Sequence, residues 1–295
     1  MDNPGAPTLR RPLGRPLRRP ALTGLLLSLA LCLLCLLADK AQAQTPSPLS
    51  EWQYSAGVLL RSKFENPLPT WDVSVGAATS LQPRYVGSSE YHVQPGINLD
   101  VRYKDIAFFS MGEGVGVNLL RGENFRAGVA LGFDVGRDQD DSSQLRGLGD
   151  ISPAPEAKVF AEYTIFPVVL RTAVRRGFGG NNGWVGDISA YLPVAGSDRF
   201  FVFVGPTATY ADSSYMRRYF GINPNQSIRS GYRQFTPSSG FSSAGFGSSA
   251  VWFWTEHWFM TADGAYQRLL GDAADSPITR AHSQLTLNLS VAYRF

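Results

Sequence analysis

This sequence is short of cysteine, of histidine and of charge. Of its 295 residues two are cysteine, three are histidine, and 17% are charged. Both cysteines, Cys32 and Cys35, fall within residues 1–43, so the chain from Gln44 onward has no thiol for a disulfide, a nucleophile or a metal. The histidines, His92, His257 and His282, are far apart in sequence and lack the spacing of a zinc site. His282 and Ser283 are adjacent, and adjacent residues of a strand point to opposite faces, which separates a base from its nucleophile. A non-enzymatic protein is therefore expected, with no cofactor and no metal. A basic excess is missing too. The net charge of +3 arises in residues 1–43, and the remainder holds 21 basic against 22 acidic residues. That balance excludes the positive footprint of a nucleic-acid binder.

After residue 43 no apolar run approaches the roughly 18 residues of a membrane helix. The only such run, 21–38, follows an arginine-rich start and precedes Ala41-Gln42-Ala43, the pattern of a secretory signal cut after Ala43. The expected organisation is a signal peptide over 1–43, a short periplasmic tail over 44–51, and one domain over 52–295.

Period two dominates that domain. Leu285, Leu287, Leu289, Val291, Tyr293 and Phe295 alternate with Thr286, Asn288, Ser290, Ala292 and Arg294, and 92–104 and 124–137 alternate similarly. Runs this long exceed ordinary globular strands and match the roughly 9–11 residues of a tilted strand crossing a bilayer. The pattern predicts an all-β, transmembrane, antiparallel up-and-down β-barrel of about twelve strands. They are expected at 52–62, 71–81, 92–104, 106–119, 124–137, 154–166, 167–178, 184–194, 199–211, 241–255, 258–270 and 283–295. Long connections alternate with short ones, as external loops alternate with periplasmic turns in the outer membrane. The tight link near Asp105 breaks the rule, because this count puts it on the long-loop side. Trp52, Trp71, Trp184 and Trp258 open strands, and Tyr85, Tyr91, Tyr210 and Phe295 lie near strand ends, as interfacial girdles require. The aromatic-ended last strand, with Tyr293 and Phe295, is the expected signal to the barrel-assembly machinery.

Several short strings together resemble one family. They are Pro83-Arg84-Tyr85-Val86-Gly87-Ser88 with Tyr91 and Pro95-Gly96, Gly147-Leu148-Gly149-Asp150-Ile151 before Glu156-Ala157-Lys158, Arg268-Leu269-Leu270-Gly271-Asp272, Ser276-Pro277-Ile278, and Tyr293-Arg294-Phe295. Their order over about 70–295 is similar to the MltA-interacting protein/OmpV family of Gram-negative outer-membrane proteins. The resemblance implies a barrel in the cell outer membrane, among lipid and lipopolysaccharide. It also implies a scaffold that bridges a lytic transglycosylase and a penicillin-binding murein synthase. Other members are surface antigens or adhesins.

The inward faces are expected to carry Asp72, Asp100, Arg102, Lys104, Arg126, Asp134, Lys158, Glu162, Arg171, Arg175, Asp187 and Asp263. With signs this mixed, mutual pairing in a filled interior competes with a narrow diffusion pore or transporter. Asp138, Asp140 and Asp141 place carboxylates in one external loop; these lack the glycine and glutamate of a calcium loop and read as a solvated acidic stretch. The long connection 212–240 offers Arg217, Arg218, Tyr219 and Tyr232 for adhesion, for lipopolysaccharide phosphates, or for a fold over the barrel mouth. A periplasmic partner surface is expected from 45–51, 82–91, 121–124 and 195–198, with Tyr85, Gly87, Ser88 and Tyr91 at its centre.

Overall fold

A computed structural model describes residues 69–295. The expected strand at 52–62, with Trp52, lies outside the described residues, as do the signal and tail. Twelve antiparallel strands close a barrel: β1 (Trp71–Pro83), β2 (Tyr91–Tyr103), β3 (Ala107–Ser110), β4 (Gly114–Arg121), β5 (Phe125–Asp134), β6 (Ala154–Ile165), β7 (Val168–Gly177), β8 (Trp184–Ser197), β9 (Phe200–Ala211), β10 (Gly240–Phe253), β11 (Trp258–Leu269) and β12 (Ser283–Arg294). Each pairs with its neighbours in sequence, and β1 closes on β12 from Leu81↔Leu287 to Ser74↔Arg294.

Alternation decides which face is which, and the result is inverted relative to a water-soluble protein. In β12 the polar Gln284, Thr286, Asn288 and Ser290 are buried, while Leu285, Leu287 and Leu289 are more than 40% exposed. Val93, Val115, Leu131, Val159, Ile188 and Phe246 face outward in the same way. An apolar exterior around a polar interior is stable only where lipid is the solvent, and closure leaves that lipid few unpaired backbone groups. Aromatic side chains band both rims: Trp71, Phe125, Trp252, Trp258 and Phe295 at one, and Tyr91, Phe133, Trp184, Tyr210 and Phe241 at the other.

One expected strand is two. The run 106–119 breaks at 111–113, where Gly114 takes a left-handed φ of 82° open to glycine, so that β3 and β4 form a short hairpin. The count stays at twelve because 52–62 is not among the described strands. The sidedness of everything before β4, however, reverses. The tight turn 104–106 joins the short-turn rim with 122–124, 166–167, 198–199, 254–257 and the C-terminus. By the usual disposition of such barrels this is the periplasmic rim. The opposite, external end carries 84–90, 135–153, 178–183, 212–239 and 270–282.

Candidate functional site

Two features dominate the barrel: an ion-pair chain in the lumen and a cap over the external end. The lumen chain starts at Asp100 and Arg102, one inward step apart on β2. The Arg102 guanidinium donates to both Asp100 oxygens at 2.8 and 2.9 Å and to Glu113 Oε2 at 2.7 Å. The other Glu113 oxygen accepts from Arg171 at 2.8 Å. Arg171 also lies 3.6 Å from Glu162, which accepts from Arg126 at 2.7 Å, and Arg126 reaches Asp105 at 2.8 Å. Signs thus alternate along seven side chains. Arg102 and Arg171 further lie 5.5 and 5.7 Å over the rings of Phe108 and Phe160, which touch edge to face. Buried charges of this kind are tolerated because each meets a partner.

Glu113 joins two arginines, yet the alternation of 106–119 did not mark it, since inward positions there are even-numbered. The 111–113 turn resets the direction and carries it inside. A glycine on either side, Gly112 and Gly114, was the available turn signal.

Nearer the mouth, Arg175 lies 3.2 Å from Asp187 and 3.8 Å from Glu156, while Asp134 accepts from Asn181 and, at 2.7 Å, from the Tyr219 hydroxyl. The inward face of β10–β12 carries Asp263 and, at the seam with β1, Arg294. Ser249, Thr261 and Asn288 donate to that carboxylate at 2.6, 3.2 and 3.2 Å. Lys104 does not belong to the lumen. The turn 104–106 gives it a φ of 49° and turns it out to solvent, its ammonium 5.8 Å from the Tyr103 ring. Asp72 sits at the seam, in a two-bonded pair with Arg294 at 2.8 Å.

Three long connections build the cap. Within 212–239 lie α1 (Ser213–Phe220) and α2 (Pro224–Ser230), and α3 (Gly271–Asp275) opens the last connection. Asp212 caps α1 by accepting from the Tyr215 N–H, and Asn223 with Gln226 forms a reciprocal cap on α2. Met216, Tyr219 and Phe220 of α1 pack with Ile151, Val185, Leu269 and Ala273; Ile222 packs with Leu145, Leu148 and Ile278. Hydrogen bonds fasten the loops together: Arg137 to the Tyr219 carbonyl, Ser276 to the Phe220 carbonyl, and Gln226 to the Leu148 carbonyl. The connection 212–239 is therefore folded over the mouth. Tyr219 is buried, Tyr232 donates to Gln144 at 3.0 Å, and Arg217 and Arg218 stay exposed.

Tyr85 belongs to this cap, and that corrects the periplasmic surface expected from sequence. It is 2% exposed among Leu145, Leu148, Ile222 and Ile278, and its hydroxyl donates to the Ile278 carbonyl at 2.9 Å. Burial pushes its pKa up to about 12. Gly87, at φ 99°, lets the turn press against Thr279, and the Ser88 carbonyl accepts from Gln284. Tyr91 stands at the external girdle, where its hydroxyl accepts from the Leu285 N–H. The turn 84–90 thus lies at the opposite end from 122–124 and 198–199, the reversal that the split of 106–119 imposes. Tyr85 is accordingly no girdle residue.

Asp138 and Asp141 spend their oxygens locally: Asp138 accepts from the Asp140 N–H and Asp141 from the Asp138 N–H, a reciprocal cap on the short helical turn 139–141. Among the described residues no group of three or more His, Cys, Asp or Glu side chains is arranged to hold a metal. His257 lies at the periplasmic rim, whereas His92 and His282 lie toward the external end. At the same rim, Trp258 and Phe295 each pack against Tyr293, at 5.2 and 5.0 Å between ring centres.

The model of one family, described as MltA-interacting protein MipA, matches residues 75–295. No curated protein matches the chain in sequence. Among solved structures, a bacterial polysaccharide outer membrane secretin is similar at 10% identity, over 76% of this chain and 98% of that one, with a TM-score of 0.40. An outer membrane channel from Pseudomonas putida F1 is similar at 10% identity, over 77% and 97%, with a TM-score of 0.39. Salmonella typhi OmpF, in complex with daunomycin, is similar at 9% identity, over 76% and 97%, with a TM-score of 0.37.

Proposed function

This chain belongs to the MltA-interacting protein family, and from that membership we propose a non-enzymatic outer-membrane anchor that gathers murein-hydrolysing and murein-synthesising enzymes beneath the membrane. The observation that favours an anchor over a pore is the self-pairing of the lumen. Arg102, Arg126, Arg171 and Arg175 each meet carboxylates of the chain itself. Side chains committed in this way brace the wall instead of attracting a solute.

The partner then meets the periplasmic rim. Its turns 104–106, 122–124, 198–199 and 254–257 present Lys104, Glu123, Arg199 and Glu256, charges of both signs. Turns this short offer less than the roughly 1,200 Å² of a standard interface, so the contact is weak or composite. The tail 44–51, released by cleavage after Ala43, adds to it.

The test uses the refolded barrel immobilised in detergent, exposed to a periplasmic and membrane extract and eluted with salt. Recovery of a lytic transglycosylase or a penicillin-binding synthase is expected. Combined charge reversal at Glu123, Arg199 and Glu256 should lower that recovery, and replacement of 85–90 by glycine and serine should leave it intact. An empty column, while a known barrel–partner pair is retained alongside, overturns the proposal.

A further inference from the structure

Among the described residues, the short hairpin β3–β4 closes the barrel only over part of its height. Strand β2 pairs with β1 along its whole length, from Tyr91↔Pro83 to Tyr103↔Trp71. With β3 it pairs only over Asp100↔Ser110 to Tyr103↔Ala107, extended by one bond from Met111 N to Leu99 O at 3.2 Å. Across the gap, the pairing of β5 with β4 stops at Leu131, while its pairing with β6 runs on to Asp134. Above the 111–113 turn, residues 91–98 and 132–134 therefore border an opening that no strand among the described residues fills. Arg84 to the Asp141 carbonyl and Ser142 to Glu90, at 3.2 and 3.3 Å, bridge its external end. The opening is a window in the wall.

The window has a chemical sidedness. Bonds from Arg84 N to Glu90 O and from Lys104 N to Thr70 O show that even-numbered residues of β2 serve the β1 ladder. Residues 91, 93, 95 and 97 therefore aim their backbone groups into the window. Pro95 sits in the middle of that edge and has no N–H to offer, the place where a sheet tolerates proline and where proline blunts pairing by another strand. The membrane side of the frame is apolar: Val93, Met111, Leu131 and Phe133 are all more than half exposed. The lumen side is polar, with Gln94 and Asn98 inward, and a Cβ built on the inward Gly132 would meet nothing within 4 Å.

Hydrocarbon alone cannot sit against unpaired peptide groups, and an edge interrupted by proline is a poor template for a strand. We propose that the window is a lateral port for a membrane lipid. Its acyl chain lies along Val93, Leu131 and Phe133, and the oxygens of its headgroup bond the free edge of β2 and enter the space beside Gly132.

The port makes an inward residue reachable from the bilayer. In the full chain carrying Cys32→Ser and Cys35→Ser, held in native outer membranes, a single Gly132→Cys is exposed to a long-chain N-alkyl maleimide. Leu289→Cys, on the lipid face, and Asn288→Cys, buried inside the lumen on β12 two strands from the window, bracket the rate. Gly132→Cys should react nearly as fast as Leu289→Cys, and adding Val93→Trp should slow it several-fold while sparing Leu289→Cys. Heat-shifted gel mobility verifies that each variant folds. A rate as low as that of Asn288→Cys overturns the port. So does labelling that Val93→Trp leaves unchanged, because the reagent then arrives through the lumen.

Discussion

At the scale of single residues, Glu113 joins two arms of the ion-pair chain. Without its charge, Arg102 keeps Asp100 and Arg171 keeps Glu162, but the two guanidiniums lose the carboxylate between them. Glu113→Gln is expected to lower stability by about 3–5 kcal/mol, the usual cost of breaking a buried pair on one side. A fall in the urea midpoint for loss of heat-shifted mobility checks it. Tyr85 makes a second case. Folded, it keeps its proton to about 12, whereas an unfolded phenol releases it near 10. Its contribution is complete below the lower value and fades as pH rises from one to the other. The tyrosinate titration of wild type minus Tyr85→Phe should show a phenol with its midpoint near the upper value; a midpoint near 10 would place Tyr85 in water.

Among the elements, α1 depends on a single side-chain cap, Asp212. Asp212→Ala should cost that helix about 0.5–2 kcal/mol. Faster tryptic cleavage after Arg217 and Arg218 is then expected, while the barrel keeps its gel mobility. Elements of this cap were the least legible part of the sequence. Residues 212–240 read as a glycine-, serine- and proline-rich loop with three competing roles, because the helices are short and draw their order from Ile151 and Ala273 in other connections and from Leu269 at the end of β11. Strands were legible wherever both faces kept their period: the expected 283–295 and 124–137 became Ser283–Arg294 and Phe125–Asp134. At 106–119 the period was continuous through Phe108, Ser110, Gly116 and Asn118, which are all inward on both sides of the break, so periodicity could not reveal the turn. The tight link at Asp105 was the visible symptom. Placed on the short-turn rim, it ceases to be an exception, and Tyr85 moves to the cap with it.

For the molecule as a whole, the paired lumen predicts that charge reversal at Arg126 changes stability and leaves ion selectivity in planar bilayers unaltered. A shift in selectivity without destabilisation would favour a pore. The seam carries a different consequence. Phe295 N donates to Val73 O at 2.9 Å, and Arg294 grips Asp72, so the last residue of the chain touches the first strand of the barrel. Every other strand neighbour is also a sequence neighbour. The cylinder is therefore indifferent to where its polypeptide begins. A circular permutant of 69–295, its old ends joined by a short glycine linker and new ends opened within α2, retains all twelve strand pairings. It should run on a gel as a heat-shifted barrel, with Tyr293 and Phe295 now internal.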